Sequence, residues 1–244
     1  MKKTPIKIGQ YTIHLRTFVS GKQRAMLLVH GLGVSGDYYL KYAEELAPFY
    51  DVYIIDLPGY GTTPKPPKPL TIRQLSGIVT EYVSSAGLKQ LVVVGQSMGC
   101  QIVAHSIVDT PTLYDKAIML APTSYKKERK LLIQAFRLWQ DTFHESLGMN
   151  MVVFTNYARM GMRRFLITSK FMVQDHIEET LKRATIPVLF VSGGDDNIAP
   201  SKWTRYLAKI TPEGRSTEMP GAPHLMQAEQ PAKLTKITRE FIEA

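Results

Sequence analysis

The stretch Leu91-Val92-Val93-Val94-Gly95-Gln96-Ser97-Met98-Gly99-Cys100 decides the fold. Its four leading apolar residues read as a buried strand, apolar on both faces as strands of parallel sheets are. Cys100-Gln101-Ile102-Val103-Ala104 then reads as the start of a helix. Between them, Gly95-Gln96-Ser97-Met98-Gly99 forms a strand–turn–helix elbow, the setting in which a Gly-x-Ser-x-Gly motif lifts a serine hydroxyl above a sheet edge. Such a turn strains the serine backbone by about 1–3 kcal/mol. Gly95 and Gly99 are small because strand and helix crowd together there. A plain tight turn is the ordinary alternative, and the motif alone decides little. The flanking strand and helix make Ser97 the candidate nucleophile.

A serine hydroxyl is a poor nucleophile without a base, and the base needs an orienting acid. In this context both follow later in the chain, acid first and histidine second. Of the six histidines, His30 lies far upstream and His14 sits in a basic, hairpin-like amino-terminal stretch. His105 is eight residues past Ser97 on the same helix, about 12 Å along its axis, too far to bond it. His144 and His176 fall in a long inserted segment. His224 follows the strand-like Ser216-Thr217-Glu218-Met219 through Pro220-Gly221-Ala222-Pro223. A histidine on a rigid Pro/Gly loop at a strand end can aim its ring at a neighbouring strand's turn, although alone it could be a plain surface residue.

The acid should leave the strand Ile186–Ser192, which runs into Gly193-Gly194-Asp195-Asp196-Asn197-Ile198-Ala199-Pro200. Asp196, four residues before a helix-opening Pro200, is favoured over Asp195. The pair also suits a helix cap or turn. Charge developing on a carbonyl oxygen needs backbone N–H donors, worth roughly 2.7–4 kcal/mol each. The Met98 N–H, at a helix amino terminus, is one. Leu32, in the first strand-to-helix loop His30-Gly31-Leu32-Gly33, is the other.

Together these residues resemble the α/β-hydrolase superfamily, in order over nearly the whole chain. His30–Gly33 resembles its HGxG oxyanion loop. Asp56-Leu57-Pro58-Gly59-Tyr60-Gly61 resembles its D-x-x-G-x-G turn. Gly193-Gly194-Asp195-Asp196 with Pro200 resembles its acid turn, which places the acid role on Asp196. Gly221-Ala222-Pro223-His224 followed by Glu229-Gln230-Pro231 resembles its histidine loop. One departure is Cys100, where many members carry glycine. The nearest flavour is the small bacterial esterases and carbon–carbon hydrolases. Members that open epoxides or remove halide use an aspartate nucleophile, so Ser97 argues against both activities.

Short apolar runs at Ala25–Val29, Val52–Ile55, Leu91–Val94, Ala117–Leu120 and Val188–Val191 alternate with helical stretches such as Ile72 to Ser84. The rhythm predicts an α/β fold, a mostly parallel sheet with helices on both faces. With 244 residues and 44% apolar content, one sizeable core is expected. Residues 123–182 are too many for one crossover helix and read as an inserted helical cap, with the core in 1–122 and 183–244. Phe136, Trp139 and Phe143 share a helix face there. That stripe is either the cap's own packing or a roof over Ser97 that binds substrate. In the family this insertion shapes the acyl pocket, which implies an apolar substrate group.

The formal charge is +9, with Lys2, Lys3, Lys7, Arg16, Lys22 and Arg24 and no acid in the first 24 residues. No nucleic-acid signature accompanies it, so it reads as a solvated face with weak attraction for anions. No run of 18 apolar residues exists, which argues against membrane insertion. The amino terminus lacks a signal-peptide core, and the lone Cys100 fits a reducing cytoplasm. No metal-ligand spacing is present and no cofactor is expected. The sum is a cytoplasmic serine hydrolase for an apolar ester or related acyl compound. Two alternatives remain: carbon–carbon hydrolysis or a related lyase or perhydrolase reaction on the same triad, and a small-molecule receptor on a hydrolase scaffold.

Overall fold

The structure is a computed structural model that describes residues 1–88, 90–123, 125, 129 and 147–244. Among the described residues eight strands form one sheet: β1 Lys2–Ile8, β2 Tyr11–Phe18, β3 Ala25–Val29, β4 Asp51–Asp56, β5 Val92–Gln96, β6 Lys116–Leu120, β7 Val188–Gly193 and β8 Gly214–Met219. Their order is β1-β2-β4-β3-β5-β6-β7-β8. The β1–β2 and β2–β4 pairings are antiparallel and the rest parallel. The amino-terminal hairpin therefore extends one edge of an otherwise parallel sheet. In β2, Ile13 and Leu15 turn inward on one face, and Arg16 on the opposite face is buried as well.

The helices are α1 Leu40–Leu46, α2 Ile72–Ala86, α3 Met98–Asp109, α4 Leu147–Met160, α5 Met162–Gln174, α6 Ile177–Leu181, α7 Ser201–Ile210, α8 Met226–Glu229 and α9 Pro231–Glu243. Helix α2 begins on a capping box, Thr71 with Gln74, and ends on Gly87 at φ +60°, the left-handed stop that glycine adopts without strain. The central strands are apolar on both faces because two cores need them. Leu27, Val29 and Val93 pack under α2 and α3. Met26, Leu28, Val92 and Val94 pack on the other side with α1 and α9. The helices of 147–181 lie between β6 and β7. Gln101 on α3 donates to the Met172 carbonyl of α5 at 2.8 Å, and His105 bonds Asp175 at 2.6 Å. His105 thus ties the far half of α3 to the end of this segment.

Strands β3, β5 and β7 and the end of β8 deliver the loops at 30–33, 95–99, 194–200 and 220–224 to one edge. In open parallel sheets this carboxyl edge is where ligands bind.

Candidate active site

Ser97 follows the last residue of β5 and caps α3 with φ +56° and ψ −121°, a conformation that costs a non-glycine residue about 1–3 kcal/mol. The crowding that enforces it is measurable. A Cβ on Gly95 would lie 2.6 Å from the Gly99 carbonyl oxygen, and one on Gly99 would lie 2.3 Å from that of Val29. Cys100 does not loosen this packing. It is fully buried, and its thiol donates to the carbonyls of Gly95 and Leu120, each at 3.3 Å. Burial pushes its pKa well above the ordinary value, so it is no thiolate nucleophile. The helix starts at Met98, two residues before the start read from the apolar pattern.

Asp196 and His224 meet. The Asp196 Oδ2 lies 2.8 Å from His224 Nδ1, and both side chains are buried. The other Asp196 oxygen accepts from the N–H groups of Ile198 at 2.7 Å and Ala199 at 2.9 Å. The carboxylate is thus saturated and fixed in orientation. Asp195 is exposed and engages through its backbone, its N–H donating to the Ala222 carbonyl at 3.0 Å. That bond draws the β7 and β8 loops together. Gly193 permits it, since a Cβ there would meet the Ala222 oxygen at 2.2 Å.

The loop at 30–33 stands against the elbow: a Cβ on Gly31 would lie 3.0 Å from Ser97 Cβ and 2.8 Å from Gln96 Oε1. His30, fully buried, sets this loop. Its Nε2 accepts the Leu57 N–H at 3.1 Å, which leaves Nδ1 as the protonated nitrogen, donating to the Gly31 carbonyl at 2.9 Å. A trans peptide holds its N–H opposite its C=O. The Gly31–Leu32 peptide therefore points the Leu32 N–H away from His30, and no hydrogen bond from that N–H is present among the described residues. Met98 begins α3, where the first N–H groups lack intrahelical acceptors. The dipole of α3 adds positive potential at the same point.

Burial lowers the His30 pKa from its ordinary 6.5. As pH falls through 6.5 the unfolded chain takes up this proton and the folded chain does not, so stability from His30 is complete above about pH 6.5 and declines below it. Chemical denaturation between pH 8 and pH 5 should show the unfolding free energy falling on the acid side, with a shallower fall in His30→Gln. His14, whose pKa is lowered too, contributes equally to both proteins. Equal slopes would mean that His30 titrates alike folded and unfolded.

Tyr157 of α4 rests on the same loop: a Cβ on Gly33, at φ +74°, would strike its ring at 2.3 Å. Its ring centroid lies 4.9 Å from that of Phe165. Tyr60 supports the loop from beside, its ring 4.8 Å from His30 and its hydroxyl 4.0 Å from Met98 Sδ. Phe154 is 70% exposed. Phe136, Trp139 and Phe143 lie outside the described residues. A groove of about 620 Å³ runs elsewhere, along Lys68, Met160, Arg163, Arg164 and Phe171, and Ser97 and His224 do not line it. Sequence reading missed Tyr38, whose hydroxyl accepts the Gly31 N–H at 2.9 Å and bonds Gln96 Oε1 at 3.1 Å. The available signal was a polar amide at the end of an apolar strand.

This geometry belongs with a match that runs through the fold. Residues 26–237 match the model of the alpha/beta hydrolase family. The chain belongs to that family. It is 23% identical to the pimeloyl-[acyl-carrier protein] methyl ester esterase of Xanthomonas oryzae pv. oryzae, over 87% of this chain and 93% of that protein. It is 30% identical to the dihydrolipoyllysine-residue acetyltransferase component of the acetoin cleaving system of Cupriavidus necator, but over 43% of this chain and only 28% of that protein. Among solved structures, a thermophilic esterase from Thermogutta terrifontis aligns with a TM-score of 0.82 at 19% identity, covering 100% of this chain and 98% of that one. The similarity to that structure carries the fold. In this hydrolase no described helix is long and apolar enough to cross a membrane.

Proposed function

We propose that this hydrolase cleaves a carboxylic ester through an acyl-enzyme on Ser97. The observation that carries the reading is the buried Asp196–His224 bond at the sheet edge that also holds the strained Ser97 elbow. With Nδ1 engaged by Asp196, Nε2 of His224 is the nitrogen that takes the Ser97 proton. Ser97 Oγ bonds the carbonyl carbon, and the oxyanion receives the N–H groups of Leu32 and Met98. His224 then protonates the departing alcohol. Water, deprotonated by His224, attacks the acyl carbon and frees Ser97. The chemistry calls on no metal or cofactor.

Esterases among the relatives and structural neighbours support an ester as substrate. Residues 123–182 form the cap of this reading. The Tyr157 ring on Gly33 supports a roof over the oxyanion loop, with Phe136, Trp139 and Phe143 as further substrate contacts. Such a roof favours an apolar, medium-length acyl group. The preference is graded, since one methylene is worth about 1–3 kcal/mol in an apolar pocket. The buried lone thiol of Cys100 suits a cytoplasmic location, and the partner is a small molecule rather than nucleic acid.

A fluorophosphonate probe tests the nucleophile. It should label the protein once, on Ser97, and label Ser97→Ala not at all. Labelling that persists unchanged in Ser97→Ala would falsify the assignment. Rates on p-nitrophenyl esters of increasing acyl length should peak beyond acetate. A maximum at acetate with a fall at each added carbon would remove the roof from the substrate site.

A further inference from the structure

We infer that Tyr38 and Gln96 are positioning residues that hold the oxyanion loop and the His224 loop in register across the nucleophile elbow. The inference rests on the proposed roles of Ser97, His224 and Leu32. Its physical basis is a line of hydrogen bonds that starts on one backbone N–H and ends on one backbone carbonyl. The Gly31 N–H donates to Tyr38 Oη at 2.9 Å. Tyr38 Oη donates its proton to Gln96 Oε1 at 3.1 Å. Gln96 Nε2 donates to the His224 carbonyl at 3.3 Å.

The direction of this line is forced. A backbone N–H only donates, so the tyrosine oxygen accepts there and sends its own proton onward. The Gln96 carbonyl oxygen receives that proton, so its amide nitrogen faces His224, where a carbonyl can only accept. The amide cannot flip without breaking two bonds. Tyr38 and Gln96 are each 1% exposed, so water does not stand in for either partner. Burial raises the Tyr38 pKa far above the ordinary value, and its hydroxyl stays a donor at every working pH.

The consequence reaches both ends of the site. Gly31 has its N–H on Tyr38 and its carbonyl on His30. Gly31 is therefore held at both of its backbone polar groups, and its carbonyl shares a peptide with the Leu32 N–H. At the other end the Gln96 amide grips the backbone of the residue whose ring acts as base. Gln96 immediately precedes Ser97, so the middle of the line is anchored beside the nucleophile. Tyr38 is seated by its own turn, Gly36–Tyr39. The Gly36 N–H there donates to Asp56 Oδ1 at 2.7 Å.

Two isosteric changes test the inference. Tyr38→Phe removes the central hydroxyl, and Gln96→Glu replaces the donor to His224 by an oxygen. Removing one donor from an oxyanion site costs about 10²–10³ in kcat, and a misplacement of about 1 Å can cost about 10²-fold. Each variant should lose about 10- to 100-fold in kcat on a p-nitrophenyl ester, with KM within about threefold of wild type. The double variant should be no worse than the poorer single one, because both break one line. Gln96→Glu carries a further signature. A protonated glutamic acid presents one acceptor and one O–H donor, the pattern of the amide it replaces. A buried carboxyl without a cation titrates well above its ordinary range. The ratio of Gln96→Glu to wild-type kcat should therefore rise as pH is lowered from about 9 to 6, and the same ratio for Tyr38→Phe should stay flat.

Rates within twofold of wild type for both variants, losses that multiply in the double variant, or a flat pH ratio for Gln96→Glu would overturn the inference. Normalising each rate to fluorophosphonate-titrated sites removes unfolded protein from the comparison. The outcomes separate from failure of the serine mechanism. If Ser97 is not the nucleophile, wild type and Ser97→Ala label alike whatever Tyr38 does. If only the positioning role is wrong, labelling vanishes in Ser97→Ala while both variants turn over normally.

Discussion

Asp196→Asn should lower kcat about 10⁴-fold with little change in KM, and Asp195→Asn should leave both within about threefold of wild type. The asymmetry follows from what each carboxylate touches. An asparagine at 196 can still accept the Ile198 and Ala199 N–H groups that now bond Oδ1, so the loop keeps its shape. Its amide nitrogen then faces His224 Nδ1, where the carboxylate stood at 2.8 Å. Two donors cannot share that contact, so the ring moves its proton to Nε2, the nitrogen that receives the Ser97 proton in the proposed mechanism. The imidazolium formed during the reaction also loses its counter-charge. Asp195 is exposed and contributes its backbone N–H to Ala222, which asparagine retains. Steady-state kinetics on one p-nitrophenyl ester across about pH 6–9 decides the matter. A larger loss in Asp195→Asn than in Asp196→Asn would move the acid to position 195.

Arg16→Leu should remove about 3–5 kcal/mol from the unfolding free energy, the cost of stranding a buried charge. Arg16 is 2% exposed although it lies on β2 near the sheet edge. Its guanidinium bonds Asp56 and, at 2.7 Å, Asp37. The Asp56 side chain is wholly buried, and the next cation, Lys3, stands at 3.6 Å with its side chain 33% exposed. Without Arg16, Asp56 keeps the Gly36 N–H and a partly solvated lysine. The buried Asp56 carboxylate is then left without its main counter-charge. Urea titration of the single variant and of the pair Arg16→Leu with Asp56→Leu gives the test. The pair should recover much of the loss, because neither charge is left without its partner. A single-variant loss below about 1 kcal/mol would mean that Lys3 alone satisfies Asp56. Since Asp56 and Gly36 seat the turn that carries Tyr38, the variant should lose activity before it loses its fold.

The sheet was legible because its strands are short apolar runs bounded by turn residues. Ala25–Val29 matches β3 residue for residue, and the other central strands shift by one or two residues at their ends. The elbow was legible because a Gly-x-Ser-x-Gly between strand and helix has few other uses, and the glycines meet backbone atoms as that reading requires. Which aspartate meets His224 was only a preference in the sequence. Both residues sit at one strand end, and two adjacent carboxylates differ there only in the direction the turn gives each side chain. The turn buries Asp196 against two N–H groups and leaves Asp195 exposed.

Local spacing and composition determined the parallel α/β class, the order of the candidate nucleophile, acid and histidine, and the surplus of cationic charge. Each is read from short windows taken in chain order or from summed composition, so one chain carries them in full. The tertiary structure alone decided the rest. Gly31, Tyr38, Gln96 and His224 stand up to 193 positions apart (224 − 31), yet they form one hydrogen-bonded line. Arg16 reads as one more cation in a basic amino-terminal stretch, and the β2–β4 pairing beside Asp56 makes it a buried partner. Tyr157 reads as one aromatic among several, and the packing of α4 sets it on Gly33. A polar side chain's partner is fixed by distance and angle after the chain has folded, and sequence periodicity encodes only which face a residue occupies.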